Sequence, residues 1–289
     1  MIARAYAKIN WYLKILGKMN TGYHDLEMIM QHIDLYDELQ INKTTNTDLT
    51  LEINSTAKFV ADDNNLIIKA AKLMLNAGKT TAGLHIRLTK RIPIGAGLGG
   101  GSADAAAMMH ALNHLFLLNY PLDKLQSLGI KIGADIPYCL EQRPAIVKGV
   151  GESIQPLHFA QEHWIVLLKP EKSLSTKEVF LNYNKKIDTR HYSLQDSIIA
   201  IENKDFINLN KYCGNSLEPP AIYLLPEIEK LKRELIDHGA LFSQMSGAGS
   251  AVFGVFESID VAKIAWSHLN IKHQTCILTR TLSKATAIL

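Results

Sequence analysis

The chain has 289 residues, of which 47% are hydrophobic and 20% are charged. This apolar content is sufficient to bury a core, so the composition excludes an intrinsically disordered protein. The 31 Lys and Arg residues barely outnumber the 28 Asp and Glu residues, and the formal charge of +3 is too small to indicate a nucleic-acid-binding surface. At about 150 residues per domain, the length predicts two domains.

The chain contains three widely spaced cysteines, Cys139, Cys213 and Cys276. They form neither a disulfide framework nor the paired spacing of a zinc site, which favours a reducing compartment. Basic residues interrupt the N-terminal stretch and argue against a signal peptide, and a transit segment is not evident. We therefore expect a protein of the bacterial cytoplasm.

The N-terminal half predicts an α+β domain. Residues 2–18 alternate and are typical of a strand, with Ala3, Ala5, Ala7 and Ile9 on one face and Arg4, Tyr6, Lys8 and Asn10 on the other. After a turn at 21–25, further strands are predicted at 26–33, 35–42, 49–54 and 84–91. Helices are predicted at 64–76 with Asp62 or Asp63 as the cap, at 102–117, and from Pro121 onward.

The composition changes at residues 149–163, which are polar and rich in turn-forming residues. We place a domain boundary there, with one domain at 1–155 and a second at 156–289. In the second domain the sequence predicts strands at 164–170, 241–246, 251–256 and 274–282, a largely helical stretch at 175–239, and a helix at 258–270. This order of elements is typical of a ferredoxin-like α+β sandwich.

Glycine is concentrated in one short segment, because five of the 18 glycines lie between Gly95 and Gly101. A glycine-rich loop that leads into a helix presents backbone N–H groups and the positive end of the helix dipole to a phosphate. A dinucleotide site is disfavoured because the acidic residue about 20 positions later, Asp123, lies at a predicted helix start and not at the end of a second parallel strand. Gly-Lys-Ser/Thr and the protein-kinase motifs are absent. A tightly packed turn is the structural alternative, but five glycines in seven positions favour phosphate binding.

This segment, PIGAGLGGGSADAAA, closely resembles the nucleotide loop of the GHMP kinases. The blocks AKINWYLKILGKMNTGYHDLEMIMQHIDLYD, KIGADIPYCL, VKGVGE and MSGAGSAVF follow in family order. They resemble the branch that phosphorylates the 2-hydroxyl of 4-diphosphocytidyl-2-C-methyl-D-erythritol in non-mevalonate isoprenoid synthesis. The resemblance implies a two-domain GHMP kinase fold, with an N-terminal domain like domain 2 of ribosomal protein S5 and a ferredoxin-like C-terminal domain. ATP and substrate would lie between the two domains.

The resemblance implies that Lys8 and Asp135 are catalytic. Asp135 would accept the proton of the substrate hydroxyl, and Lys8 would keep that carboxylate ionised and offset developing negative charge. Without the resemblance, Asp135 is more simply interpreted as a helix N-cap before Pro137, and Lys8 as a solvated strand residue.

The resemblance also implies which residues bind the two substrates. For ATP they are Pro93, Ile94, Gly95, Ala96, Gly97, Leu98, Gly99, Gly100, Gly101, Ser102 and Ala103. For the cytidylyl substrate they are Asn10, Tyr23, His24, Thr176 and Phe180. Tyr23 would stack on the cytosine, His24 would bond to it and Phe180 would cover its other face. Taken singly, Phe180 is equally interpreted as a core residue, and the Tyr-His pair as part of a turn.

Mg²⁺ is expected with ATP, and no protein ligand for it is assigned, although Ser102 or Asp104 could reach the ion. The expected partner is a small cytidylyl-linked sugar alcohol, with no nucleic acid or membrane, and the expected state is a monomer or weak homodimer. Two departures from the family pattern are Ala103 in place of serine and Ser216 in place of aspartate. The alternatives are a GHMP kinase acting on another alcohol and a non-catalytic nucleotide- or RNA-binding module.

Overall fold

A computed structural model describes residues 1–55, 64–184 and 192–288. Its first half contains strands β1 (Ile2–Lys18), β2 (His24–Thr44), β3 (Leu49–Asn54), β4 (Gly83–Thr89), β5 (Ala145–Gly149) and β6 (Ser153–Pro156). The helices of this half are α1 (Leu66–Ala77), α2 (Gly100–Leu115), α3 (Leu122–Gly129) and α4 (Ile136–Glu141). The strands form one sheet in the order β3-β4-β2-β5-β6, and β1 pairs antiparallel with β2.

The second half contains strands β7 (Trp164–Leu168), β8 (Phe242–Met245), β9 (Val252–Phe256) and β10 (Cys276–Arg280). Its helices are α5 (Thr176–Leu181), α6 (Leu194–Asn203), α7 (Phe206–Tyr212), α8 (Glu218–Leu224), α9 (Glu227–Asp237) and α10 (Ile259–Lys272). The sheet is antiparallel in the order β10-β7-β9-β8. The expected α+β fold is therefore confirmed, while the boundary between residues 155 and 156 stays a prediction.

Helix α2 packs closely on the first sheet because its buried face is built from small side chains. Ala103, Ala105, Ala106 and Ala107 are all buried in the core that this helix shares with α1 and the sheet. The helix begins at Gly100, two residues earlier than expected from the sequence. This early start brings the glycine-rich segment directly onto the end of the helix.

The cap of α1 differs from the prediction. Asn65 is the N-cap residue, and its Oδ1 accepts a hydrogen bond of 2.9 Å from the Ile67 N–H. Asparagine is a favourable N-cap because its side chain satisfies one of the free N–H groups of the first turn. The predicted caps Asp62 and Asp63 lie outside the described residues.

Strand β1 does not keep one alternating pattern along its length. Ala3 and Ala5 pack into the core of the first sheet and its helices, whereas Ala7 and Ile9 pack into a second core shared with the second sheet. The pairing with β2 is irregular between Tyr6 and Lys8, and such irregularities disturb the regular alternation of side chains. The prediction that these four apolar residues share one face was therefore wrong.

Aromatic side chains join the two sheets at the middle of β1. The Trp11 ring meets the Phe253 ring edge-on, with centroids 5.7 Å apart, and stacks against Phe242 at 6.2 Å. After β10 the chain returns to the first sheet, where the Leu282 N–H donates to the His32 carbonyl. Among the described helices, none has the length and apolar character needed to cross a membrane.

Candidate active site

The first glycine loop (residues 95–101) connects β4 to α2. Gly95, Gly97 and Gly99 have φ values of +61°, +74° and +69°, a backbone region that side chains with a Cβ rarely adopt. Gly99 is the N-cap of α2, and no side chain makes a capping hydrogen bond there. The first N–H groups of a 16-residue helix therefore face the loop, as an anion-binding site requires.

The second glycine loop (residues 246–250) joins β8 to β9 and packs directly on the first. Ser246 Oγ donates a hydrogen bond of 3.0 Å to the Gly97 carbonyl, and the Ala251 N–H donates to the Ala96 carbonyl at 3.1 Å. A Cβ on Gly97 would lie only 2.0 Å from the Ser246 carbonyl oxygen. Glycine at position 97 thus allows the two loops to touch backbone to backbone.

Lys8 lies buried beneath the first glycine loop and is not a solvated strand residue. Its Nζ donates to Asn10 Oδ1 at 2.7 Å and to the Gly97 carbonyl at 2.9 Å. The side chain of Asn10 is fully buried at the same place. Two neutral acceptors thus hold the ammonium, and its charge is directed toward the loop.

Asp135 is the acidic partner of Lys8. Its Oδ2 lies 3.7 Å from Lys8 Nζ, and its side chain is 38% exposed. Asp135 occupies the N-cap position of α4, as the simpler interpretation expected, but its side chain makes no capping hydrogen bond there. Its carboxylate is open to a ligand on one side and faces an ammonium on the other.

A buried charged cluster supports the two ends of the first glycine loop. Lys90, at the end of β4, bonds to Asp37 and donates to Asp104 Oδ2 at 2.7 Å. Asp37 Oδ1 also accepts the Ile92 N–H at 2.8 Å. Burial raises the pKa of Asp104 above its usual range, and the charge of Lys90 opposes this shift. The cluster ties the strand before the loop to the helix after it.

A cleft opens beside the turn between β1 and β2. The His24 ring stacks on Phe180 of α5 at a centroid distance of 5.0 Å, and Tyr183 meets His24 edge-on at 6.3 Å. The adjoining open cavity has a volume of about 580 Å³ and is lined by Lys18 among others. This volume falls within the range that small-molecule sites occupy, roughly 300–1,000 Å³.

The predicted substrate residues are thus only partly brought together. The structure places His24 against Phe180, while Tyr23 is 68% exposed on the turn and Thr176 is exposed at the start of α5. Asn10 lies with Lys8, away from the lining of this cleft. Burial, and secondly the charge of Lys18, lowers the pKa of His24, which favours a neutral imidazole that can both donate and accept.

Residues 65–143 match the family model described as GHMP kinases N terminal domain, and residues 197–273 match GHMP kinases C terminal. A 4-diphosphocytidyl-2-C-methyl-D-erythritol kinase of Lachnoclostridium phytofermentans is 42% identical over 264 residues, which cover 91% of this chain and 90% of that protein. This chain belongs to the 4-diphosphocytidyl-2-C-methyl-D-erythritol kinase family. As a member of this family of GHMP kinases, it is an ATP-dependent phosphotransferase.

Another 4-diphosphocytidyl-2-C-methyl-D-erythritol kinase, from Clostridium novyi, is 38% identical and covers 98% of this chain and 100% of its own length. A crystal structure of 4-(cytidine 5'-diphospho)-2C-methyl-D-erythritol kinase matches with a TM-score of 0.84 at 30% identity, covering 99% of this chain and 100% of that one. A homoserine kinase from Cytophaga hutchinsonii matches with a TM-score of 0.74 at 17% identity, over 99% of this chain and 97% of that one, and shares the fold.

Several residues around this kinase site were not found from the sequence. Asp37 and Lys90 lie in ordinary strand sequence, and no local signal indicates that they meet Asp104. Tyr183 carries a weak signal, because it follows Phe180 by three residues and so falls on the same side of a helical turn. Lys18 is separated from His24 in the sequence, and the β1–β2 pairing brings the two together.

The few oxygen-bearing side chains near the first glycine loop fit a Mg²⁺ ion that is held mainly by the phosphates of the nucleotide. Among the residues that the structure describes, no three His, Cys, Asp or Glu side chains are grouped to hold a metal ion. Asp104 is engaged by Lys90 and buried, which leaves Ser102, in the first turn of α2, as the remaining candidate ligand from the sequence. Mg²⁺ usually binds phosphate oxygens and water together with few protein ligands.

Proposed function

We propose that this kinase transfers the γ-phosphoryl group of ATP to the 2-hydroxyl of 4-diphosphocytidyl-2-C-methyl-D-erythritol, a step of non-mevalonate isoprenoid precursor synthesis. The observation that carries the proposal is the pair formed by Lys8 Nζ and Asp135 Oδ2, 3.7 Å apart beside the first glycine loop. A base and a cation at the end of a phosphate loop are what transfer to an alcohol requires. The 4-diphosphocytidyl-2-C-methyl-D-erythritol kinases among its relatives support the choice of alcohol.

Asp135 acts as the proton acceptor in this proposal. The substrate oxygen attacks the γ-phosphorus, its proton passes to the Asp135 carboxylate, and the bond to the β,γ-bridging oxygen breaks to release ADP. Lys8 has three N–H donors, and Asn10 and Gly97 accept from it. A further donor is available for an oxygen of the transferring group, where it offsets negative charge as the bonds change.

The first glycine loop binds the phosphates of ATP in this proposal. Residues 93–103 lie against the triphosphate, the free backbone N–H groups among them donate to it, and the N-terminal end of α2 adds its dipole. Mg²⁺, when bound with the nucleotide, neutralises phosphate charge, and the Ser102 hydroxyl is its proposed protein ligand. This arrangement accounts for anion binding by a chain whose formal charge is only +3.

The cleft at His24 and Phe180 receives the cytosine in this proposal. The neutral His24 imidazole bonds to the base edge, and the Phe180 ring offers a stacking surface. Tyr23, exposed on the adjacent turn, closes on the other face of the base. Thr176 is a further proposed contact in this cleft. Asn10 lies beside Lys8 and is the proposed substrate-binding residue at the reacting end of the substrate.

The decisive experiment is an ADP-release assay that offers the purified kinase the cytidylyl substrate, homoserine, mevalonate or galactose in turn. We expect turnover with the cytidylyl substrate alone. Asp135→Asn serves as the inactive control, because it preserves shape and removes the proton acceptor. Turnover with one of the other three alcohols and none with the cytidylyl compound would overturn the proposal.

The bacterial cytoplasm is the proposed location and a monomer or weak homodimer the proposed state. Cys139, Cys213 and Cys276 are all free thiols and buried, which is consistent with a reducing compartment. Sedimentation velocity over a range of protein concentrations tests the oligomeric state. A tight dimer at the lowest concentration would contradict it.

A further inference from the structure

The segment formed by Asn215, Ser216, Leu217 and Glu218 is buried although it takes no part in the proposed chemistry. The polar side chains of Asn215, Ser216 and Glu218 are all 0% exposed. Burying a polar group is costly unless it is hydrogen-bonded, so the contacts of such residues indicate what they hold in place.

Asn215 holds the second glycine loop and the strand end that leads into it. Its Nδ2 donates to the Met245 carbonyl at 2.9 Å and to the Gly247 carbonyl at 2.7 Å. Glu218 reinforces this contact from the next helix, because its Oε2 accepts the Met245 N–H at 2.9 Å. The backbone N–H and carbonyl of Met245 are therefore both hydrogen-bonded to this one segment.

The same segment is bonded to β1, the strand that carries Lys8. The Leu13 N–H donates to the Gly214 carbonyl, and the Ser216 N–H donates to the Leu13 carbonyl, each at 2.8 Å. From β1 the contacts therefore run through Asn215 to the second glycine loop. The loop then reaches Gly97 through Ser246, and the Gly97 carbonyl accepts from Lys8 of β1 itself. These contacts therefore form a closed series that begins and ends on β1 and includes the Lys8 ammonium.

We propose that Asn215 is a positioning residue for phosphoryl transfer, holding the second glycine loop against Gly97 and so keeping the Lys8 ammonium beside Asp135. The inference rests on the proposed function, because it concerns the same reacting groups. Because Asn215 is fully buried, it acts in this proposal through the loop and not by contact with the substrates.

The expected signature is a loss in kcat with little change in KM. Lys8 stabilises charge that develops during transfer, so displacing it weakens the transition state more than the bound substrates. Small displacements of a reacting group cost up to about 100-fold in rate, and we expect kcat to fall roughly 10- to 100-fold. The KM values for ATP and for the cytidylyl substrate should change by no more than about threefold.

Asn210 is a control that matches Asn215 in its hydrogen-bond pattern but lies at an exposed position. Asn210 Nδ2 also donates to two carbonyls, those of Phe206 at 2.7 Å and Leu241 at 2.8 Å, and Leu241 lies at the opposite end of β8. The experiment compares Asn215→Ala and Asn215→Asp with Asn210→Ala and Asn210→Asp. The measurements are kcat, both KM values, the thermal midpoint, and the Kd for ADP by calorimetry, which should stay within about threefold.

Ser246→Ala provides a second route if the Asn215 variants do not fold, because it removes only the hydrogen bond to the Gly97 carbonyl. A lower kcat with steady KM in the Asn215 variants or in Ser246→Ala, and not in the Asn210 variants, supports the proposal. Wild-type kcat in folded Asn215→Ala and Ser246→Ala, or a raised KM with unchanged kcat, overturns it. Failure of the proposed function is seen separately, as an inactive wild-type protein.

Discussion

The His24 imidazole stacks on the Phe180 ring, with the two centroids 5.0 Å apart and the ring planes inclined by 25°. The two residues belong to different halves of the chain, His24 to β2 and Phe180 to α5. Their contact joins the β1–β2 turn to helix α5 beside the open cavity. A cytosine that binds to Phe180 must therefore stack on the other face of that ring or displace the His24 imidazole from it.

Removal of the aromatic surface should weaken binding of the cytidylyl substrate. Stacking of a base on an aromatic ring is worth about 1–3 kcal/mol, so Phe180→Ala and Tyr23→Ala should each raise KM for that substrate roughly tenfold. The KM for ATP should stay unchanged, because no residue of the first glycine loop lines the cavity beside His24. Steady-state kinetics with each substrate varied in turn measures the effect.

Tyr223 offers the control, since it is a tyrosine on α8 that is 79% exposed, close to the 68% of Tyr23. Tyr223→Ala should leave both KM values unchanged. Equal increases in the KM for ATP and for the cytidylyl substrate in Tyr23→Ala would contradict a stacking role.

Asp135→Asn should lower kcat by at least about 100-fold, the usual contribution of a general base. Stability should be nearly unchanged, because Asp135 makes no capping hydrogen bond and its side chain is 38% exposed. Single-turnover ADP formation and a urea unfolding curve measure the two effects. Asp123→Asn, an exposed acid in the first turn of α3, should change neither. Near-normal turnover by a folded Asp135→Asn protein would exclude the proposed base.

Lys90→Met should strongly destabilise the fold, because it leaves the carboxylates of Asp37 and Asp104 buried without their cation. Breaking a buried ion pair by removing one partner costs about 3–5 kcal/mol. Lys148→Met is the control, since Lys148 pairs with Glu27 at 3.0 Å while its side chain is 47% exposed. Exposed pairs are worth about 0–1 kcal/mol. In urea unfolding, Lys90→Met should lose more free energy of unfolding than Lys148→Met. Equal losses would contradict a larger contribution from the buried ion pairs of Lys90.

Acid should destabilise this protein through two buried histidines. Burial lowers the pKa of His32 and of His163 to about 4 in the folded state. In the unfolded chain a histidine takes up its proton near pH 6.5, so their stabilising effect is complete above that pH and is lost as the pH falls toward 4. Between pH 7 and pH 5 the free energy of unfolding should fall by about 2 kcal/mol for each histidine.

Urea unfolding at the two pH values tests this expectation. His163→Gln should show a smaller loss between pH 7 and pH 5, because its amide N–H can replace the bond from Nε2 to the Ile201 carbonyl without titrating. His114→Gln, at an exposed position of α2, should keep the wild-type dependence. An unchanged pH dependence in His163→Gln would contradict the assignment.

The fold and the phosphate loop were largely predictable because their signals are local. Alternation, glycine and proline positions placed most strands to within a few residues, and five glycines before a helix indicated an anion site. Strands β5 and β6 were not predicted, no bounds were predicted for helix α4, and α5 to α9 were expected only as one largely helical stretch. The start of α2 was less predictable. Gly100 and Gly101 disfavour a helix by propensity, and packing of the alanines that follow extends the helix over them.

The concentration of glycine between residues 95 and 101 indicated a phosphate site by itself, and the resemblance to a kinase family supplied Lys8 and Asp135 as candidate catalytic residues. Only the tertiary structure decided that Lys8 is buried, that the Asp135 side chain makes no capping hydrogen bond, and that Asn215 and Ser246 bond to the two glycine loops. The physical reason is that these contacts join residues far apart in the chain. Irregular strand pairing and the packing of one glycine loop on another set them, and neither feature leaves a pattern in the local sequence.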